Sequence, residues 1–102
     1  MHGLIGKMTA VPGRRDDLIE AILQGVDDMP GCVSYVVASD ASEPDVIWIT
    51  EVWDDEASHK ASLSLPAVRA AIARARPLIA SFGPGITTVP VAGHGLGRSA
   101  AR

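Results

Sequence analysis

Apolar positions change their period along this chain, and each change marks an element. Residues 4–11 form a short apolar, β-permissive run closed by the turn pair Pro12-Gly13, so a first strand is expected there. From Arg14 onward Leu18, Ile19, Ile22, Leu23 and Val26 recur at helical spacing, with Asp16 and Asp17 at the end where the helix dipole favours negative charge. Pro30-Gly31 stops that helix. The β-branched and aromatic run 32–39, which holds Val33, Tyr35, Val36 and Val37, precedes a polar loop at 40–45, an arrangement that predicts a hairpin into the next strand.

That next strand, 46–53, is the most apolar element. Alternation puts Ile47, Ile49, Glu51 and Trp53 on one face and Val46, Trp48, Thr50 and Val52 on the other, and both faces are apolar enough to need cover. Asp54, Asp55 and Glu56 supply an acidic first turn for a short helix to about residue 63. Pro66 then suits the first turn of another helix, with Val68, Ile72, Ala75 and Ile79 as its apolar stripe, Arg69, Arg74 and Arg76 off it or at its edge, and Pro77 shortening its end. Gly83-Pro84-Gly85 reads as a turn, 86–91 as a last strand that Pro90 marks as an edge or a bulge, and 93–102 as a small, polar, mobile tail.

The order βαββαβ predicts one α+β domain over residues 1–92 followed by the flexible tail 93–102. A ferredoxin-like arrangement fits, with a four-stranded antiparallel sheet backed by helices on one face. The doubly apolar third strand then implies that a second copy covers the other face, as a homodimer.

Composition narrows the classes. A chain of 102 residues supports one core. With 47% hydrophobic residues, 21% charged residues and a net charge of -3, it is expected to be soluble and folded, with no attraction for nucleic acid or an anionic membrane. The single cysteine, Cys32, excludes an internal disulfide and fits a reducing cytoplasm; no stretch is long and apolar enough to span a bilayer, and no secretion signal is read. His2, His59 and His94 lack metal-ligand spacing, so no metal is expected.

Candidate chemistry sits in and just after the third strand. A lone carboxylate on an apolar face needs a partner, so Glu51 is either a structural group tied to a backbone N–H or an arginine, or part of a catalytic pair. Six positions after Trp53 comes His59, near enough to reach over the same face. It is either a solvated helix residue beside Lys60, or the base that takes the proton of a bound phenol while Glu51 orients it. Trp53 is core or pocket wall, Trp48 points to the dimer side, and Arg74 is a solvated arginine or one that reaches an anionic oxygen.

The segment Ile49-Thr-Glu-Val-Trp-Asp-Asp-Glu-Ala-Ser-His-Lys-Ala-Ser-Leu63 resembles the signature of the antibiotic biosynthesis monooxygenase family, and within it the small quinol monooxygenases. Supporting it are Pro30-Gly-Cys-Val-Ser-Tyr-Val-Val37, Leu65-Pro-Ala-Val-Arg-Ala-Ala-Ile72 and Arg76-Pro-Leu-Ile79, so the likeness runs from about residue 4 to 91. What the resemblance implies is a dimeric α+β barrel with one pocket per subunit between sheet and helices. It also implies cofactor-independent oxidation of a small aromatic or quinol-type compound by molecular oxygen. On this reading His59 and Glu51 are the catalytic pair, and Trp53, Ile49, Ile47, Leu63, Ile72 and Arg74 hold the substrate. A non-catalytic dimeric module that binds a small apolar ligand is the alternative on the same fold. Haem-degrading relatives rely on an Asn, a Trp and a His ligand; this chain has Trp53 but no Asn, and haem breakdown is not expected. Some quinone-forming relatives also carry an Asn where Ile49 stands here.

Overall fold

β1 (His2–Ala10) is the strand on which the sheet is assembled. The structure, a computed structural model, describes residues 1–98. β3 (Val46–Trp53) lies antiparallel along one side of β1, and β2 (Cys32–Ser39) pairs with the far side of β3. The other side of β1 takes β4 (Ile79–Phe82) against Met8–Ala10 and β5 (Ile86–Thr88) against Gly3–Ile5. Strand order is therefore β2-β3-β1-β4, with β5 continuing the β4 lane. Four antiparallel lanes result, the last broken by Gly83-Pro84-Gly85, and the Gly83 N–H still donates to the Lys7 carbonyl at 2.8 Å.

This last lane departs from the pattern in the sequence. The helix expected to run through Ile79 ends at Ala75, residues Arg76–Leu78 form one 3-10 turn, and Ile79 already pairs with Ala10. Pro77 is the reason, because it has no N–H to give and its ring clashes with the carbonyl four residues back. The fourth lane thus starts seven residues before residue 86 and ends at Thr88 rather than at Val91.

Helices cover one face. α1 (Arg15–Leu23), α2 (Glu56–Ser62) and α3 (Pro66–Ala75) follow β1 and β3 in the expected order, but α1 ends at Leu23, so Val26 lies beyond it and Pro30-Gly31 is not its stop. The core joins Leu18, Ala21 and Ile22 of α1 to Ala10, Ile47, Ile49 and Ala75, and Leu18 and Ile47 are wholly buried. Burial of an aliphatic side chain of that size is worth roughly 1.5–3 kcal/mol. Where the chain leaves α1 it passes so close to α3 that a Cβ on Gly25 would lie 2.7 Å from the Ala71 Cβ and 3.1 Å from the Ala67 carbonyl oxygen. Only glycine permits that approach, which brings the two helices together over the sheet. At the opposite end, Arg15 Nη1 donates to the Glu43 carbonyl and the Gly13 N–H donates to Asp45, fastening α1 to the β2–β3 loop.

Residues 93–98, read from the sequence as the start of a mobile tail, contribute to a short hairpin of β6 (Ala92–Gly93) and β7 (Gly97–Arg98). The rest of that tail, 99–102, lies outside the described residues.

Candidate functional site

Between the helices and the sheet lies a cavity of about 510 Å³, a volume suited to a small organic molecule. Strand alternation sends Ile49, Glu51 and Trp53 of β3 into it, and direct cross-strand pairing puts Tyr35 of β2 on the same face as Glu51. The helices supply Ile22, His59, Val68, Ala71, Ile72 and Ala75, so most of the wall is apolar.

One end is not. The Trp53 indole N–H donates to Glu51 Oε1 at 3.0 Å, and His59 Nε2 lies 3.9 Å from the same oxygen. Side chains of Glu51 and His59 are 17% and 24% exposed, and both line the cavity. The Trp53 and His59 rings meet at 5.4 Å between centroids with a 59° tilt, and the His2 ring lies 5.9 Å from His59 on the other side. His59 is held there by its helix. Asp55 caps α2 by accepting the Ser58 N–H at 2.7 Å, and the buried Ser62 hydroxyl donates to the His59 carbonyl at 2.6 Å. An imidazole facing a carboxylate in a mostly apolar hollow can accept a proton from a bound acid and have the resulting cation stabilised.

Tyr35 adds a donor. Burial, and then the neighbouring Glu51 charge, push its phenol far above the ordinary tyrosine range, so it keeps its proton at any working pH. Among the described residues no protein group hydrogen-bonds that hydroxyl, which leaves it free for a ligand oxygen. Cys32 sits opposite Trp53 at a β-bulge; burial first and the Glu51 charge second raise its thiol, which therefore stays protonated and unreactive. Among the described residues no three His, Cys, Asp or Glu side chains converge to hold a metal ion.

The structure brings together Glu51, His59, Trp53, Ile49, Leu63 and Ile72 around this cavity. Two residues expected beside them are elsewhere. Ile47 shares the face but lies farther along β3 under α1, inside the solid core, and Arg74 is exposed on α3 away from the hollow. Arg76 takes the place expected of Arg74, because Val68, Ile72 and Arg76 fall on one helical stripe at successive spacings of four, whereas two residues turn the helix past its opposite side. Tyr35 also lines the cavity, and its alternation with Val37 on β2 was a usable signal; Met8 of β1 joins it, and only the early start of β4 brings Ala80 and Phe82 to the rim.

Comparison with known proteins gives one family. The family model described as antibiotic biosynthesis monooxygenase matches residues 1–74. Among solved structures, a protein of Chloroflexus aurantiacus J-10-fl named for the same family is 62% identical, covering 94% of this chain and 98% of its own, with a TM-score of 0.91. One from Deinococcus radiodurans, also named for that family, is 25% identical over 91% of this chain and 95% of its own, at a TM-score of 0.74. A third, from Nitrosomonas europaea, shares the fold at a TM-score of 0.79 with 13% identity, covering 88% of this chain and 98% of its own. No match is found among curated proteins.

Proposed function

The chain belongs to the antibiotic biosynthesis monooxygenase family, and from that membership we propose that it oxidises a small aromatic or quinol-type compound with molecular oxygen, without a cofactor. The observation that carries this reading is the meeting of Glu51, Trp53 and His59 at one end of a cavity lined mostly by apolar groups.

The chemistry asks little of the protein beyond a base, a fixed pose and dryness. His59 Nε2 accepts the phenolic proton of the substrate, and the Glu51 carboxylate stabilises the imidazolium. Trp53 keeps that carboxylate aimed by donating to Oε1. The phenolate gives one electron to oxygen, leaving an aryloxyl radical and superoxide, which combine to form a carbon–oxygen bond at an unsubstituted ring carbon. The peroxide takes the proton back from His59; His59 then accepts the ring proton from that carbon as the carbonyl forms and the oxygen–oxygen bond breaks, and the departing hydroxide takes this proton and leaves as water. Phenol and oxygen thus become quinone and water, with no external reductant.

We further read the active species as a homodimer in the cytoplasm. The uncovered face of the sheet presents Val36 and Ile86, each about half exposed, beside Ile5 and Trp48, an apolar surface of the kind a second subunit covers. Among the described residues no helix is long and apolar enough to cross a membrane. Oxygen consumption with a panel of hydroquinones tests the activity. Stoichiometric uptake with one labelled oxygen atom from ¹⁸O₂ in the quinone is expected; binding of quinols with no uptake would leave a ligand-binding module instead.

A further inference from the structure

The two ends of the cavity differ in charge. Glu51, His59 and His2 gather where β1 pairs His2 with Trp53 and Leu4 with Glu51, whereas the other end is closed by Met8, Ile79, Ala80 and Phe82. Arg76 joins the wall at that second end, since the Ile79 N–H donates to its carbonyl and Ile79 pairs with Ala10. From the rung that carries Glu51 to the rung that carries Phe82 is four residues of β1, about 13 Å at the rise of a strand.

Arg76 stands apart from the neighbouring cations. Arg14 is paired with Asp17 and Lys60 with Glu56, while Arg69 and Arg74, exposed like Arg76 and likewise without an ion pair among the described residues, do not line the cavity; Arg76 does. Among the described residues no carboxylate lies within ion-pair distance of Arg76, although it faces a cavity whose only carboxylate, Glu51, is at the far end. A guanidinium is always charged and presents a flat fork of donors that fits a carboxylate.

We infer that the substrate is an aromatic acid, its phenol or quinol at Glu51 and His59 and its carboxylate at Arg76, with an apolar body spanning Ile49, Ile72 and Phe82. The phenol end of this assignment rests on the monooxygenase reading; the anionic end stands on the placement of Arg76 alone. Arg76 is then a specificity-determining residue that acts on binding and leaves the chemical step untouched.

The test separates the two. A quinone bearing a short carboxylate-terminated arm, and its methyl ester, are titrated calorimetrically into the wild-type protein and into Arg76→Gln and Arg76→Lys at low ionic strength. Quinones do not turn over, so binding is read whether or not the protein oxidises anything. The acid is expected to bind about 2- to 5-fold more tightly than the ester, the size of one exposed charge pair. Arg76→Gln abolishes that preference and Arg76→Lys keeps part of it. Equal binding of acid and ester by the wild type, or a preference that survives in Arg76→Gln, overturns the inference. The matching hydroquinols then report the reaction: a binding preference without oxygen uptake supports the anionic end while defeating the monooxygenase reading, and uptake at equal KM for acid and ester does the reverse.

Discussion

Glu51 was legible from its own neighbours, because a carboxylate that alternates with Ile49 and Trp53 has to find a partner on the buried side of its strand, and the indole of Trp53 is that partner. His59 was legible in position but not in distance; only the capped start of α2 fixes its imidazole 3.9 Å from the carboxylate. Tyr35 is the group the sequence reading lacked, and removing its hydroxyl tests whether a ligand oxygen uses it. Tyr35→Phe keeps the ring and the fold, and a loss of about 10-fold in kcat/KM is expected from one donor to the substrate, read in steady-state oxygen uptake. Unchanged kinetics would make Tyr35 a wall residue only. Ile47 behaves in the opposite way. It fills the core rather than the cavity, so Ile47→Ala costs on the order of 2–5 kcal/mol in urea unfolding. The folded fraction is expected to keep the wild-type KM.

Element by element, the three long strands and three helices followed from periodicity, helped by Pro12-Gly13 after β1 and by the acidic turns that open at Asp40 and Asp54 after β2 and β3. The end of α3 did not. Ile79 continues the helical stripe in sequence, yet Pro77 breaks the hydrogen-bond ladder two residues earlier, and the open edge of β1 then captures the chain as β4. Arg76, the helical C-cap of α3, continues the stripe of Val68 and Ile72 to the cavity wall, whereas Arg74 falls on the other side of the helix. The β2–β3 loop carries a pH signature of its own. The Asp40 carboxylate accepts from the Glu43 N–H, the Trp48 indole and the Ser42 N–H, and these bonds lower its pKa to about 2. A folded-state pKa below the unfolded value of about 3.9 means its contribution is complete above pH 4 and is lost as pH falls through 2. Thermal melts from pH 5 to pH 2 are expected to show a shallower acid decline in Asp40→Asn than in wild type; parallel curves would remove this carboxylate as a contributor.

At the scale of the whole molecule, the sheet carries helices and the cavity on one side and exposed Val36 and Ile86 on the other, so the unpartnered face calls for a second subunit. Light scattering at micromolar concentration should give twice the monomer mass, and Val36→Lys should shift it toward one; a wild-type monomer contradicts the dimer without touching the cavity. Fold and family were within reach of the sequence because both depend on alternation and on the run from Ile49 to Leu63. The charge distribution along the cavity was not, since it depends on where β1 sets Met8 and Leu4 against elements remote in the chain.

Everything about the proposed activity converges on the imidazole of His59 taking a proton beside Glu51. The direct measurement is the initial rate of oxygen uptake with the best hydroquinone for wild type and His59→Ala, without and with added imidazole. A general base contributes typically 10²–10⁴-fold, so the variant should fall by at least about 100-fold and recover part of the rate with imidazole, while binding the quinone product normally. A His59→Ala protein that consumes oxygen at the wild-type rate contradicts the account.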